Sequence, residues 1–408
     1  MEDATWKYAS ASTTTSHAAD PDGGNWKELP KVKLQRMNRR AITLGALAVS
    51  GALALTACGS DDTSSKNGGS SASASSSTTA SSIKCDAKGG QLLADGSSAQ
   101  KNAIDAWVAQ FSQACQTQIN YKAGGSGAGV TSFTQGQLAF AGSDSALKPE
   151  EVAASKKVCT GGQGIDLPMV GGPIALGYNL PGVDNLVLDA KTIAEIFNNQ
   201  IKTWDAPEIK KLNPSAKLPS TKIQAFHRSD ESGTTDNFTK YLKAAAPSVW
   251  GKYEGGKAWQ APGGQSAPQS AGVAQQVKQT AGAIGYFELS YAKDMSTVKI
   301  DTGASAPVEA NIDNATKAIA DAKVVGTGKD LSLQLNYNTK ADGAYPMVLV
   351  TYEIICDKGN KADTLPATKS FLRYIASEDG QKMLTDNSYA PIPDAIISKV
   401  RTTIEGLS

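Results

Sequence analysis

Residues 227–235, HRSDESGTT, place an arginine, a carboxylate, hydroxyls and a glycine just ahead of a helical pattern, NFTKYLKAA at 237–245. These are the parts of an anion clamp. The guanidinium of Arg228 supplies charge and a fork of donors, and Asp230 can hold that fork in place. Ser232, Gly233 and Thr234 would open a helix whose free N–H groups point at whatever lies in front of them. Read alone, the same string also describes a capped surface helix behind a charged turn.

Two more stretches have the same chemistry. GGQLLADGSSAQKNAIDAWVAQF (89–111) reads as a strand, a turn and an amphipathic helix with Ile104, Trp107, Val108 and Phe111 on one face. Gly96, Ser97 and Ser98 form its entrance, and Ser98 has the makings of an N-cap. QINYKAGGSGAGVTSFTQGQ (118–137) follows as strand, glycine-rich turn and helix. Its turn has Val130 where a dinucleotide fingerprint needs a third glycine, and it lacks the lysine of a phosphate-binding P-loop. Glycines that let backbone approach an anion remain, with the Ser126 hydroxyl. LAFAGSDSAL (138–147) then reads as an apolar strand ending in Ser143 and Asp144. Each helix start carries about half a positive charge, so three converging starts would cage a small, highly charged anion. An arginine and local donors without a placed base suggest capture rather than turnover.

A chain of 408 residues can bury a large core in two or more lobes. Its net charge of +1 and sparse aromatics give no sign of a nucleic-acid partner. Of the two histidines, His17 lies in the N-terminal extension and only His227 lies downstream, which weakens metal and histidine-based catalytic readings. No metal or cofactor is expected. Strand alternation points His227 away from the face of Arg228. Trp204, Trp250 and Trp259 read as packing residues, and Tyr286 and Phe287 as core.

The N-terminal part reads as export and anchoring. Residues 1–36 carry no periodic pattern and form a candidate untranslated or disordered extension ahead of Met37. Arg39 and Arg40, the apolar AITLGALAVSGALALTA (41–57) and Cys58 follow, so 37–57 reads as a signal peptide. It is short for a membrane span, which needs roughly 20 apolar residues. LTAC (55–58) resembles a bacterial lipobox, with Cys58 the lipidated residue; cleavage without lipidation and an uncleaved anchor are the alternatives. The Ser/Ala/Gly-rich 58–84 cannot form a core and serves as a tether with a span of roughly 28 Å. Cys85, Cys115, Cys159 and Cys356 remain, an even number that in an exported protein favours one or two disulfides with open pairing.

Taken together, ADGSSAQ (94–100), GGSGAGV (124–130), FAGSDS (140–145), the 186–214 segment with its WD and LNP, HRSDESGTT, GAIGYFEL (282–289) and YPMVLVTYE (345–353) resemble the phosphate-binding proteins of bacterial ABC importers. The resemblance covers about 88–400. It implies a two-lobed α/β periplasmic-binding-protein fold (type II) with the ligand in the interlobe cleft. Lobe one would be 85–170 plus 305–408 and lobe two 171–304, with crossings near 170–179 and after Ile300. It also implies phosphate contacts from Ser98 and the Ala99 amide, from Ser126 and Asp144, and from Arg228, Ser232, Gly233 and Thr234, with Asp230 orienting Arg228. Ser98–Ala99 stands where Thr–Phe is common in the family, which bears on how the pocket rim packs.

Asp144 gives the cage its selectivity in this reading. Phosphate at neutral pH keeps a proton to donate, and a carboxylate can only accept. Sulfate would set a dianion against that carboxylate at a cost of several kcal/mol. Asp144 as a helix cap or as a salt-bridge partner of Arg228 are the competing roles. The expected function is capture of inorganic phosphate by a monomeric, lipid-anchored protein on the outer face of the bacterial cell membrane, with delivery to the transmembrane subunits of an ABC permease. The rivals are a binding protein for sulfate or molybdate, an exported phosphatase or serine hydrolase, and an added adhesin or sensor role. Ser232 lies in DESGT rather than G-x-S-x-G, and no histidine is placed as its base.

Overall fold

The computed structural model describes residues 83–408. The expected extension at 1–36, signal at 37–57, lipidation at Cys58 and most of the tether lie outside the described residues. Nine strands form the main sheet: β1 (Gln91–Gly96), β2 (Gln118–Lys122), β3 (Phe140–Ser143), β4 (Gly164–Asn179), β5 (Gln224–Arg228), β6 (Gln265–Ala267), β7 (Ala283–Glu288), β8 (Ser296–Thr297) and β9 (Val348–Cys356). Their order is β2-β1-β3-β9-β4-β7-β5-β6, with β8 added beside β4. The β1–β2 and β1–β3 pairs in one half, and β5–β7 and β5–β6 in the other, are parallel. All pairings of β4 and β9 are antiparallel.

β4 joins the halves. Its first ten residues, to Pro173, lie along β9, and from Ile174 to Asn179 it lies along β7. GIDLPMVGGPIALGYN is nearly continuous in its apolar character, as a strand covered on both faces requires, and only Asn179 is not fully buried. Between Pro173 and Ile174 the partner strand changes from β9 to β7.

Four helices each begin shortly after a strand: α1 (Lys101–Cys115), α2 (Ser126–Thr134), α3 (Gly233–Ala245) and α4 (Gln269–Gln279). Ile104, Trp107 and Phe111 of α1 are buried as its periodicity predicts. Trp204, Trp250, Tyr286 and Phe287 are core residues. The cysteines resolve into Cys85–Cys115 and Cys159–Cys356. Among the described residues no helix is long and apolar enough to cross a membrane.

Candidate anion-binding site

The three strand-to-helix entrances meet. Gly125, ahead of α2, donates its N–H to Gly96 O at 2.8 Å, and Ser97 N donates to Gly142 O at 2.8 Å, so the loops after β1, β2 and β3 lie against one another. From the other half, Gly233 N donates to Ser126 Oγ at 3.1 Å, and Gly127 N donates to Glu231 O at 3.0 Å. Gly125 has φ +105°, and a Cβ there would sit 2.5 Å from Asp230 Oδ2. A Cβ on Gly233 would lie 2.6 Å from Asp144 Cβ. Only glycine allows both approaches.

Arg228 ends β5 and is 2% exposed. Its Nε donates to Asp230 Oδ1 at 2.8 Å, and its Nη2 donates to Asp230 Oδ2. Its Nη1 edge reaches Ser270 Oγ at 3.4 Å. Burial works against the Asp230 charge, but the hydrogen bonds and charge of Arg228, with the Gln269 amide, hold that carboxyl below its usual range. The backbone of Arg228 is fixed as well, since its N–H donates to Tyr286 Oη at 3.2 Å. That hydroxyl also shares a 2.7 Å bond with Thr235 Oγ1.

Asp144, one residue past β3, neither caps a helix nor pairs directly with Arg228. Its Oδ1 accepts from Thr351 Oγ1 at 2.8 Å and its Oδ2 from Thr234 Oγ1 at 3.1 Å. Burial pushes its pKa up; the hydroxyls of Ser97, Thr351 and Thr234 and the charge of Arg228 oppose that shift. Ser126 Oγ receives the N–H groups of both Asp144 and Gly233. Ser126, Asp144, Arg228, Gly233 and Thr234 therefore occupy one buried constellation built from both halves of the sheet.

Three of the expected site residues have local or cross-lobe partners. Ser98 does not cap α1: Gln100 holds that position without a side-chain bond, and Ser98 Oγ instead accepts from Ser270 N at 2.9 Å across the two halves. The chain needs one further turn before the helix, which carries Ser98 out of capping reach. The Ala99 N–H, expected to face a ligand, donates to Ser97 Oγ at 3.0 Å. A serine hydroxyl readily captures the amide two residues on, and the sequence places Ser97 there. Ser232 caps α3, accepting from Thr235 N at 3.2 Å, so its oxygen is engaged locally while its O–H can still point outward. His227 stacks on Trp259 with centroids 4.8 Å apart, and its Nδ1 lies 3.0 Å from Arg228 O. Burial lowers its pKa, the backbone contact opposing.

A family-level description, the PBP superfamily domain, matches residues 70–379. The phosphate-binding protein PstS 3 of Mycobacterium tuberculosis is 42% identical over 380 residues, covering 91% of this chain and 100% of that protein. This chain belongs to the PstS phosphate-binding protein family. PstS 2 of the same organism is 38% identical, covering 89% of this chain and 97% of that relative. Among solved structures, a high-affinity periplasmic phosphate-binding protein (PfluDING) aligns with a TM-score of 0.63 at 20% identity, covering 76% of this chain and 93% of that one. A phosphate-binding protein from Stenotrophomonas maltophilia aligns with a TM-score of 0.61 at 18% identity and the same coverage. At these identities the structures speak to fold: the PstS chain has the two-lobed α/β periplasmic-binding architecture.

Three residues that the sequence did not single out also stand in this candidate site. Ser270 opens α4, a fourth strand-to-helix entrance whose PQS lacks glycine. Thr351 sits in a mostly apolar strand, where threonine is an ordinary β-former. Ser97, already part of the first entrance, takes the Ala99 amide. Asn237, one turn into α3, donates to both Asp144 O at 2.7 Å and Gly233 O at 2.8 Å.

Proposed function

We propose that this chain captures inorganic phosphate outside the cytoplasm and delivers it to the transmembrane subunits of an ABC importer. The observation that carries the reading is Asp144: a buried, acceptor-only carboxylate among hydroxyl donors and helix starts, with one neutralised arginine nearby. A ligand welcomed there must bring negative charge for the donors and a proton for the carboxylate, and phosphate at neutral pH brings both. The names of the relatives agree with that chemistry.

In this reading Ser126, Asp144, Arg228, Gly233 and Thr234 form the core of the cage, with Ser98, Ala99 and Ser232 at its margin and Asp230 orienting the arginine. Lobe one comprises 85–170 plus 305–408 and lobe two 171–304, and closure about the β4 crossing couples occupancy to docking on the permease. Cys58 anchors a monomeric protein to the outer face of the cell membrane. The protein turns nothing over: its single downstream histidine is stacked on Trp259 rather than set against a nucleophile. Isothermal titration of the purified protein with phosphate, sulfate and molybdate tests the reading. Tight binding of phosphate alone is expected, and a preference for either other anion would overturn it.

A further inference from the structure

Thr351 lies on β9 within VLVTYEIIC, a run that is apolar apart from Thr351 and Glu353, and is fully buried. The antiparallel register pairs Tyr352 with Ser143, so the next rung sets Thr351 across from Asp144. At this same rung the pairing with β4 is irregular: Thr351 faces Val170 and Tyr352 faces Pro168. An extra residue on one strand turns local side chains, and such bulges recur beside functional sites. The Thr351 hydroxyl donates to Asp144 Oδ1 at 2.8 Å, and the direction is fixed because a carboxylate only accepts.

We infer that Thr351 is a specificity-determining residue, whose donated hydrogen bond keeps Asp144 in its acceptor-only form and so preserves rejection of fully deprotonated tetrahedral anions. The inference rests on the phosphate reading above. Asp144 is held between opposing influences. Burial favours its neutral form, while Glu353 of β9 and Glu288 of β7, themselves pushed up by burial, feel the charge of Asp144. Tyr121 of β2 and Tyr291, just after β7, are neutral phenols in the same electrostatic neighbourhood. Against these stand Ser97 after β1, Thr351, Arg228 at the end of β5 and Thr234 at the start of α3. Removing one donor shifts the balance toward a protonated Asp144. A protonated Asp144 offers an O–H, which sulfate can accept, and the repulsion that excluded it is gone.

The test is calorimetry of the full-length protein with phosphate and with sulfate, in buffers from mildly acidic to mildly alkaline, for wild type, Thr351→Val and Thr351→Ser. For the valine variant, sulfate binding should set in at a pH about one unit higher than in wild type. Its phosphate affinity at neutral pH should fall about tenfold. Serine should restore both values. Thr351→Ala, which removes the hydroxyl and reduces bulk, gives the same readout if valine is not accommodated. An unchanged sulfate onset in a donor-less variant, or an equal loss for both anions at every pH, would overturn the inference while leaving phosphate capture intact. Wild type that binds no phosphate would overturn the functional reading itself.

Discussion

Asp230 grips the Nε–Nη2 edge of Arg228 and leaves its Nη1 turned toward Ser270, at the mouth of a different helix. The arginine therefore meets any ligand with its orientation already set, and little side-chain entropy remains to be lost on binding. Arg228→Ala should weaken phosphate binding by roughly a hundredfold, the scale of a buried charge-assisted contact. Asp230→Ala should cost less, since it releases the fork without removing it. Calorimetric titration separates the two, and near-normal affinity for Arg228→Ala would remove the clamp from the site.

Asp144→Asn supplies an amide where the protein has an acceptor. Phosphate should bind more weakly, by about tenfold, while sulfate gains at neutral pH. Competition between the two anions reads the ratio directly. Unchanged selectivity would mean that the carboxylate does not read the proton.

Glu288 gives a pH signature in stability. It is fully buried, and burial, with bonds from Ser290 opposing, pushes its pKa up from the ordinary 4.5 to about 8. The folded state thus keeps a proton that the unfolded state releases once pH passes 4.5. Stability from this group is full below that point, declines as pH rises, and levels off beyond about 8. Glu288→Gln should flatten this decline, worth on the order of a few kcal/mol, in thermal melts taken across the interval.

The two disulfides should differ in weight. Cys159–Cys356 closes a separation of 197 residues and Cys85–Cys115 one of 30. In a chain-entropy treatment these correspond to about 5 and roughly 3.5 kcal/mol. Replacing the longer bridge by a pair of alanines should lower the urea midpoint more than replacing the shorter one.

What the sequence revealed tracks how visible each physical device is in one dimension. Gly96, the 124–129 run and Gly233 mark close backbone approach, and these entrances were legible. The α4 entrance was not, because Ser270 approaches Ser98 by side chain and amide without needing a glycine. Thr351 was hidden for a different reason: only the pairing of β9 with β3 reveals that a strand-forming threonine faces a carboxylate. The local partners of Ser98 and Ala99 were not legible, because Ser97 takes the Ala99 amide and the partner of Ser98 lies on a distant helix. The disulfide pairing needed the fold itself.

The bond between Cys85 and Cys115 ties down the N-terminal end of the described residues. Asp86 reinforces it, pairing with Arg373 and donating its N–H to Ser370 Oγ, and Gly89 N donates to Cys115 O. A pull arriving from the N-terminal side is thereby transferred to the far end of α1 and to the helix Leu365–Ala376 before it reaches β1. The Ser97–Ala99 loop lies downstream of that mechanical ground. A load applied through the N-terminal segment should leave the grip of the cage unchanged.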